Sequence, residues 1–172
     1  MFFDGVVSSI WDNGIMAFDE NINYQACVNE GGAGCPSLDW GIVTDVERAP
    51  VLEVSYASDA ALAGIAFQTS GVYDLSAFIC GSVSFNIKVT NAGSNGGLVM
   101  KVDCLFPCIS GEQPLGDEGT NGWQSVKIPV ADLMAEPEVL ELTNVNTGLV
   151  IYPSFGHTAN VIYQLDNVRW IR

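Results

Sequence analysis

Positive charge is scarce in this chain: 6 Lys and Arg stand against 20 Asp and Glu, for a formal net charge of -14. The six cations, Arg48, Lys88, Lys101, Lys127, Arg169 and Arg172, are scattered. They form no basic footprint to neutralise phosphates, and the acidic field repels nucleic acid at long range. The same repulsion weighs against anionic membrane surfaces and highly charged anionic glycans, leaving a neutral ligand, a cation or another protein as partner. No apolar run approaches the roughly 20 residues of a membrane span, and MFFDGVVSS lacks the basic and long apolar regions of a signal peptide. The chain reads as an excised mature module of a secreted protein. Catalytic signatures are absent too. The single histidine, His157 in SFGHTAN, has no neighbouring Ser or Cys as nucleophile, and no G-x-S-x-G, phosphate-binding loop or H-E-x-x-H occurs.

What is present is apolar sequence in short alternating runs. With 48% apolar residues, 172 residues suffice for one domain, 1–172, with a sizeable core. SVSFNIKVT puts Val83, Phe85, Ile87 and Val89 on one face and Ser84, Asn86 and Lys88 on the other, as a half-buried strand requires. GLVMKVDC turns Leu98, Met100 and Val102 inward and Lys101 and Asp103 outward, while LAGIAFQT sets Gln68 opposite Ala63, Ile65 and Phe67. Similar runs, separated by turns such as NAGSNGG and SFGHTAN, predict roughly eight to ten strands and an all-β, antiparallel two-sheet sandwich or jelly roll. Only PVADLMAEPEVLEL hints at a helical turn, limited by Pro137. The last strand breaks its own parity between Leu165 and Val168, which predicts a bulge at Asp166-Asn167.

The cysteines suggest two local disulfides, Cys27–Cys35 across CVNEGGAGC and Cys104–Cys108 across CLFPC. A four-thiolate zinc site competes, but the spacings depart from zinc knuckles. Cys80, in LSAFICG, is expected as a buried structural thiol. Glu136, Glu138 and Glu141 alternate as in a glycosidase strand, but catalysis needs two carboxyls about 5.5–9.5 Å apart on one face, and Pro137 interrupts the run, so it reads as a solvated loop. Neutral sugars lay a C–H face on an aromatic ring while polar side chains bond the hydroxyls. Trp11 and Trp40, among polar and turn residues, are candidate platforms; Trp123 and Trp170, at the ends of apolar runs, are assigned to packing.

The segments WDNGIMAFDE, GGAGCPSLDWGIVTDVERAPVLEV and QLDNVRW, with GWQSVKIPVADL, resemble a carbohydrate-binding module of the galactose-binding-like β-sandwich type. More narrowly, they are similar to the non-catalytic domain appended to marine bacterial exo-β-glucanases of glycoside hydrolase family three. The resemblance implies a structural Ca²⁺ where the first strand meets the last, with Asp4 and Asp166 as ligands and Glu47 as a third. It implies a sugar site either on the concave sheet or at a loop edge, with Gln68, Lys101, Asp103 and Gln164 as hydrogen-bonding groups beside Trp11 and Trp40. The function it implies is binding of a neutral polysaccharide, a β-glucan, by a domain without catalysis that is covalently attached to a hydrolase. The alternatives are a purely structural accessory domain that packs on a catalytic domain, or a small glycosidase or lyase.

Overall fold

Wherever apolar and polar residues alternate, the chain is extended. The computed structural model describes all residues except 1, 4, 9, 23–34, 49, 58–61, 95 and 136–139. Along them run β1 (Phe2–Phe3), β2 (Val6–Val7), β3 (Gly14–Asp19), β4 (Leu38–Val43), β5 (Val51–Tyr56) and β6 (Ala63–Tyr73). There follow β7 (Ser82–Ala92), β8 (Leu98–Cys104), β9 (Gln113–Gly116), β10 (Gln124–Pro129), β11 (Val145–Pro153) and β12 (Val161–Ile171). The expected helical turn is a single short helix, α1 (Val130–Leu133), which buries Val130 and Leu133.

The strand pairs among the described residues are antiparallel and fall into two sheets. In the first, β10, β7 and β12 lie side by side. Beyond them β12 meets β5 and then β4 along residues 162–165, and β1 and then β2 at Val168. The second sheet has the order β3-β6-β11-β8-β9. This is the expected two-sheet sandwich. Its strands outnumber the expectation, because β1 and β2 are only two residues each and too short to show alternation.

The inner faces interlock Leu52, Val54, Phe85, Ile87, Tyr163 and Leu165 of the first sheet with Ile65, Phe67, Met100, Val102, Leu149 and Ile151 of the second, all fully buried. Each such side chain stabilises the fold by about 1.5–3 kcal/mol relative to an exposed one, an upper figure because unfolded chains already bury some surface. The bulge lies where parity broke. Between Asp166 and Arg169 the pairing of β12 with β7 slips by one residue, and Asn167 takes φ +55°. The slip falls between the stretch of β12 that pairs with β5 and the residue that pairs with β1, so it marks the change of partner.

Three aromatic or thiol expectations are corrected. Trp11 is a core residue, 2% exposed, and its ring lies against the backbone of Gly148, where any side chain would collide with it. Gly148 sits where the register of β11 slips, and its carbonyl accepts a hydrogen bond from Trp170 Nε1 at 3.0 Å, so two tryptophans meet at one irregularity. Trp40 pairs with Val54 on β4, so it takes the inner side of that strand, where it is half-buried and packs on the core. Cys80 is a free thiol but exposed. A 3₁₀ turn over residues 76–78 buries Leu75, and the tight turn after it, closed by Gly81 N–H donating to Phe78 O at 2.7 Å, leaves Ile79 and Cys80 outside.

Candidate functional site

Pairing across β6, β11 and β8 assembles a polar face on the outer side of the second sheet. Thr147 pairs with Gln68 on one side and with Asp103 on the other. In the neighbouring row Met16, Ala66, Val150 and Lys101 follow one another across four strands. Three of the four polar residues expected in a sugar site, Gln68, Lys101 and Asp103, therefore share one face. Beside them Ala66, Val99, Val150 and Tyr152 form a second apolar cluster, joined by Phe18 and Leu62. The Tyr152 ring stands edge-on to Phe18 at 6.2 Å, and its hydroxyl donates to Glu112 Oε1 at 2.6 Å.

The electrostatics of this face follow from its partial burial. Lys101 Nζ lies 3.0 Å from Asp103 Oδ1. Burial holds the Asp103 carboxyl above the usual carboxylate range, against the opposing pull of Lys101. At the other end Asn13 Nδ2 donates to Gln68 Oε1 at 3.4 Å, and Asp12 accepts from the Ser70 hydroxyl and from its amide at 2.7 Å. These bonds hold the Asp12 carboxyl below its ordinary value. Ala66, Val99, Val150 and Tyr152 are themselves only 2–8% exposed, so what this face presents to a ligand is its half-buried polar border, an amide, an ammonium and carboxylates. Tyr152 and Glu112 were missed in the sequence, although parity against the inward Leu149 and Ile151 would have turned Tyr152 outward.

Gln164 does not belong to this face. It lies on β12 of the first sheet, where its Nε2 donates to Glu53 Oε2 at 2.8 Å. Neither Trp11 nor Trp40 borders this face: Trp11 is in the core, and Trp40 is half-buried on the inner side of β4 in the first sheet.

The outer side of the first sheet is covered by the loop between β4 and β5. Asp45 in that loop accepts from Lys88 Nζ at 2.8 Å, Trp123 Nε1 at 3.1 Å and the amides of Glu47 and Arg48. The Arg48 guanidinium lies 4.8 Å from the centre of the Trp123 ring and donates to Asn86 Oδ1 at 2.8 Å. Trp123, expected in packing, is instead a lid for these cations. Asp166 is 5% exposed; its Oδ2 accepts from Asn167 at 3.1 Å and faces Arg48 at 3.5 Å, while Oδ1 has no partner among the described residues. A buried, unpaired carboxylate oxygen is one ligand for a hard cation, but the described residues bring no three acidic, His or Cys side chains together to hold a metal. Glu47 is largely exposed, with Lys88 Nζ at 3.7 Å, and Asp4 lies outside the described residues.

Cys104 and Cys108 are bridged. Cys35 is disulfide-bonded, and Cys27, its expected partner, lies outside the described residues, as do Glu136, Pro137 and Glu138 of the carboxylate run. Glu141, the last of that run, is exposed and accepts from Asn144 Nδ2 at 2.9 Å.

No family model matches the chain, and no curated protein matches it. Its architecture is shared with solved β-sandwich modules. The extra C-terminal domain of an exo-1,3/1,4-β-glucanase from a Pseudoalteromonas species superimposes with a TM-score of 0.67 at 13% identity, over 99% of this chain and 90% of that one. The family 30 carbohydrate-binding module of a cellulosomal cellulase from Clostridium thermocellum gives 0.61 at 18% identity, over 84% and 91%. The family 11 module from the same organism, in complex with a β-1,3-1,4-mixed-linked tetrasaccharide, gives 0.56 at 15%, over 92% and 95%. The fold is thus that of carbohydrate-binding β-sandwich modules, and the resemblance read from the sequence holds at that level.

Proposed function

We propose that this chain is a non-catalytic module that binds a neutral polysaccharide, a β-glucan, on the outer face of the second sheet, and keeps a covalently attached glycoside hydrolase near its substrate. The observation that carries the reading is the gathering of Gln68, Lys101 and Asp103 beside the Tyr152 cluster, on a fold shared with carbohydrate-binding modules. Of the similar structures, one is a domain of a β-glucanase and another holds a mixed-linkage tetrasaccharide, which supports the choice of glycan. A strongly acidic chain favours an uncharged ligand for the same reason that it disfavours nucleic acid. Tethering raises the effective concentration of the attached enzyme even when a single site binds weakly; a polysaccharide substrate implies, as part of the same proposal, a protein that works outside the cell.

Calorimetric titration with laminarihexaose and a mixed-linkage tetrasaccharide tests the face directly. Lys101→Met removes a charged hydrogen-bond donor and is expected to weaken binding by about 1.5–3 kcal/mol, roughly tenfold or more, while Gln68→Ala costs about 0.5–1.5 kcal/mol. Gln164→Ala, on the other sheet, is expected to leave affinity unchanged. Equal losses from all three variants, or from none, would move the ligand elsewhere.

A structural Ca²⁺ held through Asp166 Oδ1 is part of the same proposal. The ion would satisfy the unpaired oxygen and fasten the last strand, with Glu47 and Asp4 as further oxygen donors. A ligand bound only by the native state stabilises it by RT ln(1 + [L]/Kd), about 2.7 kcal/mol at 100 times Kd. We expect the melting temperature to rise from chelator to millimolar Ca²⁺, and the rise to vanish in Asp166→Asn. An equal rise in that variant would exclude Asp166 as a ligand.

A further inference from the structure

The turn between β9 and β10 is pinned at two points and free between them. Gly119 is buried against β7, where its carbonyl accepts from Val89 N–H at 2.9 Å; at φ +83° any side chain there would crowd the Val89 and Ile87 backbone. Gln124 pairs with Ile87 at the start of β10. Between these pins lie Thr120, Asn121, Gly122 and Trp123. Thr120 is tied back to Asp117 O by its amide at 3.2 Å and its hydroxyl at 2.8 Å. Trp123 is tied to Asp45 Oδ1 and lies beneath the Arg48 guanidinium. Asn121 is exposed, and among the described residues neither its side chain nor the Gly122 N–H makes a hydrogen bond. Gly122 stands at φ +100° in open space.

An asparagine followed by glycine carries its own electrophile and nucleophile. The glycine backbone nitrogen attacks the side-chain carbonyl carbon, the side-chain amide leaves as ammonia, and a five-membered succinimide joins the two residues. Water then opens the ring at one carbonyl or the other, giving aspartate or isoaspartate. Glycine favours the attack because it has no side chain to shield its nitrogen and restricts its backbone least. A hydrogen bond on the glycine N–H, or on the asparagine side chain, must first be broken. The chain contains three such pairs, Asn13-Gly14, Asn95-Gly96 and Asn121-Gly122. Asn95 lies outside the described residues. Asn13 is the contrast: Gly14 N–H donates to Trp11 O at 2.8 Å, Gly14 pairs with Gln68, and Asn13 Nδ2 is held by Met16 Sδ at 2.9 Å and Gln68 Oε1 at 3.4 Å.

We infer that Asn121-Gly122 is a self-modifying site, converting without an enzyme to aspartate and isoaspartate, and that the isoaspartate form unseats Trp123. Aspartate adds only a charge, at an exposed position of a chain whose net charge is already -14. Isoaspartate routes the backbone through the side-chain carbon, so it inserts one extra main-chain atom into a span fixed at Gly119 and Gln124. The added length falls on Trp123, whose ring bonds Asp45 and lies beneath Arg48, so the loop over the first sheet loosens. Gln68, Lys101 and Asp103, on the second sheet, are untouched by the change.

The full chain is aged at mildly alkaline pH and mapped by mass spectrometry with electron-transfer fragmentation, which distinguishes isoaspartate from aspartate. Asn121 is expected to convert roughly tenfold faster than Asn13, the rate equivalent of the hydrogen bonds that Asn13 and Gly14 must break. The rate should rise with pH, because the deprotonated amide nitrogen is the nucleophile. Asn121→Ser should abolish conversion at that position and leave the fold intact. The isoaspartate form, isolated by chromatography, should unfold at a lower urea concentration than freshly purified Asn121→Asp, which carries the same charge on an ordinary backbone. An Asn121 that stays intact, or converts no faster than Asn13, would overturn the modification site. An isoaspartate form as stable as Asn121→Asp would overturn the displacement of Trp123.

Discussion

Trp11→Ala should lower the unfolding free energy by about 3–5 kcal/mol, the range for truncating a buried aromatic, and leave the glycan affinity of the folded fraction unchanged. The ring is 2% exposed and fills the space over Gly148, so its removal opens a cavity over a residue that has no side chain to fill it. The turn holding it, with Trp11 N–H donating to Ser8 O at 3.0 Å and Gly14 N–H to Trp11 O at 2.8 Å, leads directly into β3, so the loss is felt at the edge of the second sheet. Against a typical total of about 5–15 kcal/mol this is a large fraction. Urea unfolding should show a lower midpoint at nearly constant slope. A variant as stable as the parent but unable to bind glycan would make Trp11 an exposed platform after all.

Asp45→Ala is the second large effect, expected at about 3 kcal/mol, because it strips four hydrogen bonds from the loop that covers the first sheet and leaves Lys88 with only the more distant Glu47. Its pH dependence identifies the cause. Burial pushes the Asp45 carboxyl up, but Lys88, the Glu47 amide and Trp123 together pull it well below the usual range. A carboxyl whose folded pKa is depressed contributes stability above its unfolded value of about 3.9, and loses it as pH falls through the folded value. The stability gap between parent and Asp45→Ala should therefore be full near pH 6 and shrink below about pH 4. Lys88 is raised by the same bond, so its contribution is present below about pH 10.4 and lost as pH rises through its folded value. A gap that stays constant down to pH 2 would mean that the loop is held by its backbone and not by the carboxylate.

The strands were legible because alternation is local: Phe85 and Ile87 had to face away from Asn86 and Lys88 whatever lay across from them. The bulge was legible for the same reason, since two parities cannot share one regular strand. So was the outward placement of Gln68, Lys101 and Asp103. Which sheet each outward face belongs to was not legible, and Gln164 lies on the other sheet from Gln68, Lys101 and Asp103. The tryptophans failed on range. Trp11 looks solvated among Ser, Asp, Asn and Gly, and only a glycine 137 positions later, at a register slip, makes room for it in the core. Trp123 looks like a strand residue, yet its partners Asp45 and Arg48 come from a loop more than 70 residues earlier.

The central claim is that this module holds a neutral β-glucan without changing it. Affinity electrophoresis of the chain in gels containing laminarin, mixed-linkage β-glucan, agarose or xylan tests it most directly, with released reducing ends assayed in parallel. The account predicts retardation by the β-glucans, relieved in Lys101→Met, with no release of reducing ends. Free migration in all four gels, or release of reducing ends from any of these polysaccharides, would contradict it.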